Sequence, residues 1–200
     1  MSDTTRSIRW RSDDGTTIEH CVVKIGASSI AAEGLMLSGT EPDEFGMRYR
    51  IVVDAEWAGF RSLHVTKLGG ATVALRHDGY GEWTDGEGKK RPDLSKCLDV
   101  VVDGSRFPIS VTARRLAWKA NKTVELPVIR VALPTLEVSA TTLKVTAIEP
   151  GKSYRAAVGG AEATEYLLDT DGLSMPTHAP ADVEAAAPSD EDASAAGVSA

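Results

Sequence analysis

From residue 17 to residue 170 apolar and polar residues alternate at period two, and Gly, Asp-Gly or Pro breaks the alternation roughly every eight to twelve residues. Side chains two apart share a face only in extended chain, so the pattern calls for an antiparallel sheet or barrel. Candidate strands cover 17–25, 29–38, 47–57, 60–68, 71–77, 80–84, 97–103, 123–133, 135–147, 152–158 and 163–170. Helical periodicity is scarce. Residues 112–120, with Leu116 and Trp118, fit a short helix, and a strand or bend equally well. No repeat of fixed period is present. The expected class is all-β with at most short helices.

The 200 residues are 42% hydrophobic and 26% charged, the composition of a water-soluble domain. The formal charge of −7 is unevenly spread. Residues 177–200 hold Asp182, Glu184, Asp190, Glu191 and Asp192 with no Lys or Arg, and removing these five acids leaves 24 acidic against 22 basic residues, a charge of −2. We therefore expect one β domain over 1–176 and a disordered Ala/Pro/acidic tail over 177–200. A nearly neutral body predicts no basic field for nucleic acid and no polybasic patch for lipid surfaces. No apolar run reaches the roughly 18 residues of a membrane helix, which argues against integral membrane association, and residues 1–14 carry no apolar export segment. Cys21 and Cys97 are isolated and read as reduced, structural thiols. The expected location is the cytoplasm.

Residues 47–84 fix a register if Ala58-Gly59, Gly69-Gly70 and Asp78-Gly79 are two-residue hairpin loops. Trp57 then pairs with Phe60, Leu68 with Ala71 and His77 with Tyr80. One face collects Tyr49, Ile51, Val53, Ala55, Trp57, Phe60, Leu68, Ala71, Val73, Leu75 and Tyr80, crossed by a polar stripe of Ser62, His64, Thr66 and His77. The other collects Arg48, Arg50, Asp54, Glu56, Arg61, Lys67, Arg76 and Trp83, with Glu56 opposite Arg61. One residue of slip would exchange the faces.

Motifs for chemistry are sparse. There is no G-x-S-x-G elbow, no S-x-x-K and no cysteine in a catalytic context. Gly151-Lys152-Ser153 lacks the upstream Gly of a phosphate loop, since position 146 is Thr. The glycines from Gly79 to Gly88 precede no helix, which removes the dinucleotide reading. Asp169-Thr170-Asp171-Gly172 lacks the later ligands of a calcium loop and reads as a turn. His64 with His77 is the one pair suited to metal, and no third ligand accompanies it, so neither metal nor cofactor is expected. Asp54 and Glu56, about 7 Å apart on one strand face, have the spacing of an inverting glycosidase. Arg48, Arg50 and Arg61 on that face would keep both acids ionised, which favours ion pairs. The indoles of Trp57 and Trp83 suit stacking on sugar rings or packing in a core.

A series of short motifs, Trp10-Arg11, Ile18-Glu19-His20-Cys21, Tyr49-Arg50-Ile51 through Trp57 and Arg61, and Gly81-Glu82-Trp83-Thr84-Asp85, continues with Pro92-Asp93-Leu94, Cys97-Leu98-Asp99-Val100, Phe107, Arg114-Arg115-Leu116, Tyr154-Arg155 and Asp171-Gly172-Leu173. In order and spacing, from about Trp10 to Thr177, these resemble the bacterial putative glycolipid-binding family. Pro108-Ile109-Ser110 stands where that pattern has Thr-Asn, and Val145 where it has tyrosine. The resemblance implies a single curled antiparallel sheet, a spiral β-roll or half-barrel with a concave apolar side that shelters acyl chains. The resulting expectation is non-catalytic binding of a glycolipid or other acyl-bearing molecule: Tyr49 and Trp57 as apolar wall, His64 and His77 as polar stripe, and Arg50, Arg61 and Trp83 for the headgroup. The alternatives are a small-glycoside hydrolase or isomerase using Asp54/Glu56 or His64/His77, and a protein-interaction scaffold joined through strand edges.

Overall fold

The alternation forms strands almost where it occurs in the sequence. The computed structural model describes residues 4–12, 14–116 and 118–175, so the expected tail over 177–200 lies outside the described residues. The protein is mostly β, 54% strand and 7% helix. Seven strands form an antiparallel meander, sheet A: β1 (Thr4–Arg11), β2 (Ile18–Ile25), β3 (Ser29–Ser38), β4 (Phe45–Asp54), β5 (Phe60–Lys67), β6 (Thr72–His77) and β7 (Trp83–Asp85). A 3-10 turn at Pro92–Leu94 leads to sheet B, a curled half-barrel: β8 (Asp99–Val102), β9 (Thr123–Val131), β10 (Val138–Glu149), β11 (Ser153–Val158), β12 (Thr164–Leu168) and β13 (Ser174–Met175). The strands thus divide between two sheets, and one neighbouring pair, β8 with β9, runs parallel.

That parallel pair needs a crossover, and helix α1 (Phe107–Arg115) supplies it. Pro108 sits in the first turn, where its missing N–H is no loss. The helix lies between the sheets and is buried on two sides. Phe107 and Val111 join the core lined by sheet A, while Ile109 and Ala113 pack with Val128, Leu143, Val145 and Tyr154 of sheet B. Asp99 ties it to β8: its buried carboxylate accepts from Thr112 Oγ1 at 2.8 Å and pairs with Arg115. The sheets also meet where Arg6 of β1 donates to Asp169 at 3.1 Å and pairs with Asp171.

The expected register in 47–84 needs correction. A bulge on β5 sets Val53 opposite Phe60 but Val52 opposite Ser62, leaving Arg61 as the extra residue. Phe60 therefore points inward, and so do Leu63 and Val65, while Ser62, His64 and Thr66 turn outward. The polar stripe does not exist. β4 ends at Asp54, so Trp57 lies in a five-residue loop rather than opposite Phe60. His77 pairs with Trp83, not Tyr80, which places the Trp83 ring in the core and leaves Tyr80 96% exposed. Leu68 is likewise outside, half exposed.

Candidate functional site

The inner face of sheet A is filled. Tyr49, Ile51, Val53, Phe60, Leu63, Val65, Leu75 and Trp83 pack in one cluster with Val100, Val102, Phe107, Leu136 and Leu173. Tyr49, expected as a cavity wall, is buried there. Its ring crosses Gly34, where a Cβ would come within 2.2 Å of it, and its hydroxyl donates to Glu19 at 2.5 Å. Glu19, present in the Ile18-Glu19-His20-Cys21 motif but expected to have no role, is sealed in the core and also accepts from Ser105 Oγ at 2.8 Å and the Arg106 N–H at 3.2 Å. Desolvation pushes its carboxyl up to about 7 despite these donors. Trp83 donates its indole N–H to the Cys97 carbonyl at 2.9 Å and stacks against His77 with ring centroids 4.7 Å apart. It is core structure, and burial lowers the affinity of His77 for a proton.

The remaining expected site residues are dispersed. His64 and Arg50 stand opposite one another on the outer face, so His64 and His77 face opposite ways. Arg61 pairs with Asp54 at 3.4 Å, and Asp54 Oδ1 accepts the Ala58 N–H at 2.7 Å, which holds the β4–β5 loop. Glu56 is exposed in that loop. Trp57 has φ of 60°, a left-handed conformation unfavourable for a side-chain-bearing residue. Its indole packs near Phe107, with ring centroids 6.3 Å apart, and under the Arg114 guanidinium at 4.3 Å.

Arg114 leads to an open groove of about 1000 Å³ at the C-terminal end of α1. This lies within the size range of small-molecule sites. Ala113, Leu116, Trp118, Tyr154, Leu168 and Met175 form its apolar lining, and Arg114, Lys152 and Asp169 stand among them. The two aromatic rings meet edge to face at 5.3 Å, and both polar tips are occupied: Trp118 Nε1 donates to the Ala113 carbonyl at 2.8 Å, and Tyr154 Oη accepts the Gly151 N–H at 2.7 Å. The lining thus presents mainly apolar ring surface, with the indole N–H turned to the backbone. Asp169 is fixed by the N–H groups of Asp171 and Leu173, each at 2.9 Å, in the turn expected from its Asp-Gly sequence. Under the helix the half-barrel is nearly full. The space bounded by Val101, Ile109, Leu143, Ala156 and Tyr166 is about 20 Å³. The open space lies at the end of α1 and not beneath it.

Sequence reasoning missed this groove. Trp118 and Tyr154 lie in different segments and gave no common pattern, and only the Arg114-Arg115-Leu116, Tyr154-Arg155 and Asp171-Gly172-Leu173 motifs pointed to this end of the molecule. A second hollow, about 700 Å³, lies on the outer face of sheet A, with His20, Leu35, Arg48, Arg50, His64 and Thr66 around it. Among the described residues no cluster of three His, Cys, Asp or Glu converges as a metal site, and no helix is long and apolar enough to cross a membrane.

Fold and site together define a half-barrel β protein plugged by one helix and opening into an amphiphilic groove. The chain belongs to the family described as "Putative glycolipid-binding", whose model matches residues 7–181. Its structure is similar to the crystal structure of a DUF1089 family protein from Pseudomonas aeruginosa, with a TM-score of 0.66 and 26% sequence identity, over 82% of this chain and 90% of that one. Comparison with curated proteins gives no match.

Proposed function

We propose that the protein is a non-catalytic carrier or receptor of an amphiphile, a glycolipid or another acyl-bearing molecule, held in the groove at the end of α1. The observation that carries this reading is the pairing of a continuous apolar lining, Leu116, Trp118, Tyr154, Leu168 and Met175, with Arg114, Lys152 and Asp169 at the same opening. Each methylene buried on that lining contributes about 0.8 kcal/mol. The Trp118 ring suits a sugar face, and the charged groups suit its hydroxyls or an acidic substituent. The family description supports a binding role. A binder rather than an enzyme also agrees with the groups considered for catalysis: Asp54 is committed to a loop, and the two histidines face apart. Its two buried thiols, Cys21 and Cys97, suit the reducing cytoplasm.

The test is titration of the full chain with a long-chain alkyl glucoside, followed by tryptophan fluorescence and native mass spectrometry. The expected result is one-to-one binding that Met175→Glu abolishes by placing a charge in the lining. Met175 is 41% exposed, so that change should leave the fold intact. Binding unaffected by Met175→Glu and Trp118→Ala would move the ligand elsewhere, and release of glucose during incubation would overturn the non-catalytic reading.

A further inference from the structure

The sequence reading predicted no basic patch, and the fold makes one. Strand alternation places Arg9 and Arg11 of β1, Lys24 of β2, Arg48 and Arg50 of β4 and Arg76 of β6 on the outer face of sheet A, against the acids Glu33 and Asp54. Glu33 pairs with Arg50 at 3.3 Å and Asp54 with Arg61. Among the described residues Arg48 has no acidic partner, although Arg50 lies two residues along the same strand face. Like charges so placed repel. The chain carries this face despite a net charge of −7.

The same face exposes large aliphatic side chains. Ile18 (51% exposed) pairs with Leu37 (53%), and Leu37 stands opposite Gly46. Leu68 (51%) lies over that glycine, where a Cβ would meet Leu68 at 2.7 Å and Leu37 at 3.3 Å. Leu35 (46%) follows two residues along β3, directly opposite Arg48. The four form one run over β2, β3 and the Gly46 end of β4, beside the arginines. Single exposed apolar residues are ordinary, but a contiguous run with a charged border marks a contact surface.

We propose that the outer face of sheet A docks on an anionic lipid bilayer, with Ile18, Leu35, Leu37 and Leu68 entering the headgroup region while Arg48 and Arg50 meet lipid phosphates. Basic side chains bordering aliphatic ones are what an interfacial protein presents to such a surface. Single-stranded nucleic acid would instead call for exposed Phe, Tyr or Trp platforms, and the outward positions of β1 to β6 hold none, His20 and His64 being the rings there. The hollow of about 700 Å³ beside Arg48, Arg50 and His64 gives a headgroup room to seat. This docking does not depend on the groove being loaded.

The experiment is co-sedimentation of the full chain with vesicles of phosphatidylcholine alone or mixed in equal parts with phosphatidylglycerol. The expected result is sedimentation with the anionic vesicles only, falling steeply as salt is raised. Each membrane-facing arginine accounts for about five-fold in affinity, so R48Q/R50Q should weaken binding by about 25-fold. Leu37→Ser should weaken it at every salt concentration. R48Q/R50Q should bind the alkyl glucoside like the unmodified chain, which separates failure of the docking surface from failure of the groove. Absence of binding to anionic vesicles at low salt, equal binding to neutral ones, or full binding by R48Q/R50Q would overturn the proposal. So would a dimer in solution that the same substitutions dissociate, since that would assign the face to a second copy.

Discussion

Glu19 makes the stability of this fold depend on pH in the sense opposite to most carboxylates. Its carboxyl is pushed from an ordinary 4.5 up to about 7 in the folded chain, because the core penalises the ionised form more than Tyr49, Ser105 and Arg106 favour it. The folded state therefore holds one more proton than the unfolded state between those values. Stability is fully present below pH 4.5, declines as pH rises, and is lost above about 7. At about 1.4 kcal/mol per unit, the shift amounts to about 3 kcal/mol, a large share of the 5–15 kcal/mol typical of a domain. Glu19→Gln removes the titration. Its amide oxygen keeps the Tyr49 and Ser105 bonds, but its NH₂ group then faces the Arg106 N–H, a mismatch of about 1 kcal/mol. The variant should be less stable than the parent in acid and more stable by about 2 kcal/mol above neutrality. Urea unfolding of both proteins across this range measures the crossover. Other groups contribute equally to the two chains, so their difference isolates Glu19. A parent whose stability is flat from pH 4.5 to 8, or a variant with the parent's slope, would refute the reasoning.

Two further outcomes test how the core is held. Arg115→Met leaves the buried Asp99 carboxylate with Thr112 alone, and loss of one partner of a buried pair should destabilise the fold by about 3 kcal/mol in urea, more than Asp99→Asn with Arg115→Met together. Gly34→Ala places a methyl within 2.2 Å of the Tyr49 ring and forces that ring off Glu19; calorimetry should show a loss of about 1–3 kcal/mol, which Tyr49→Phe would not reproduce if the clash rather than the hydroxyl dominates.

The strands were legible because alternation is local: 29–38 matches β3 to the residue, and most others agree within a few positions. Faces are less forgiving. The bulge at Arg61 inverts the inner set of β5, and its trace in the sequence is slight: the odd spacing of Phe60 from Leu63 and Val65, which a regular strand would put on opposite faces. The β6–β7 loop runs over 78–82 instead of two residues because the Asp78 carboxylate accepts the N–H groups of Tyr80 and Glu82, an Asx-type turn that the Asp-Gly pair did not distinguish from a tight hairpin. That difference carried Trp83 from the surface into the core. Helix α1 is only faintly marked in the sequence, where residues 112–120 fit a helix, a strand or a bend alike, because it is buried on two sides and so shows no single apolar stripe.

The site escaped for a different reason. A binding surface on a curled sheet is made where elements end, and here the end of α1, the β10–β11 turn and the β12–β13 turn meet from separated parts of the chain. Composition averaged over 1–176 likewise hides segregation: acids and bases nearly cancel along the sequence, yet period-two alternation sorts six cations onto one face of sheet A through strand parity alone. The inner face is packed by aromatic and aliphatic side chains from both sheets, so any ligand must contact the molecule from outside. The groove and the basic face are the two places where apolar surface and charge are left together. A lipid drawn to the basic face by charge and a lipid held in the groove by its tail would use different chemistry. Salt should accordingly release the protein from vesicles without releasing an alkyl glucoside.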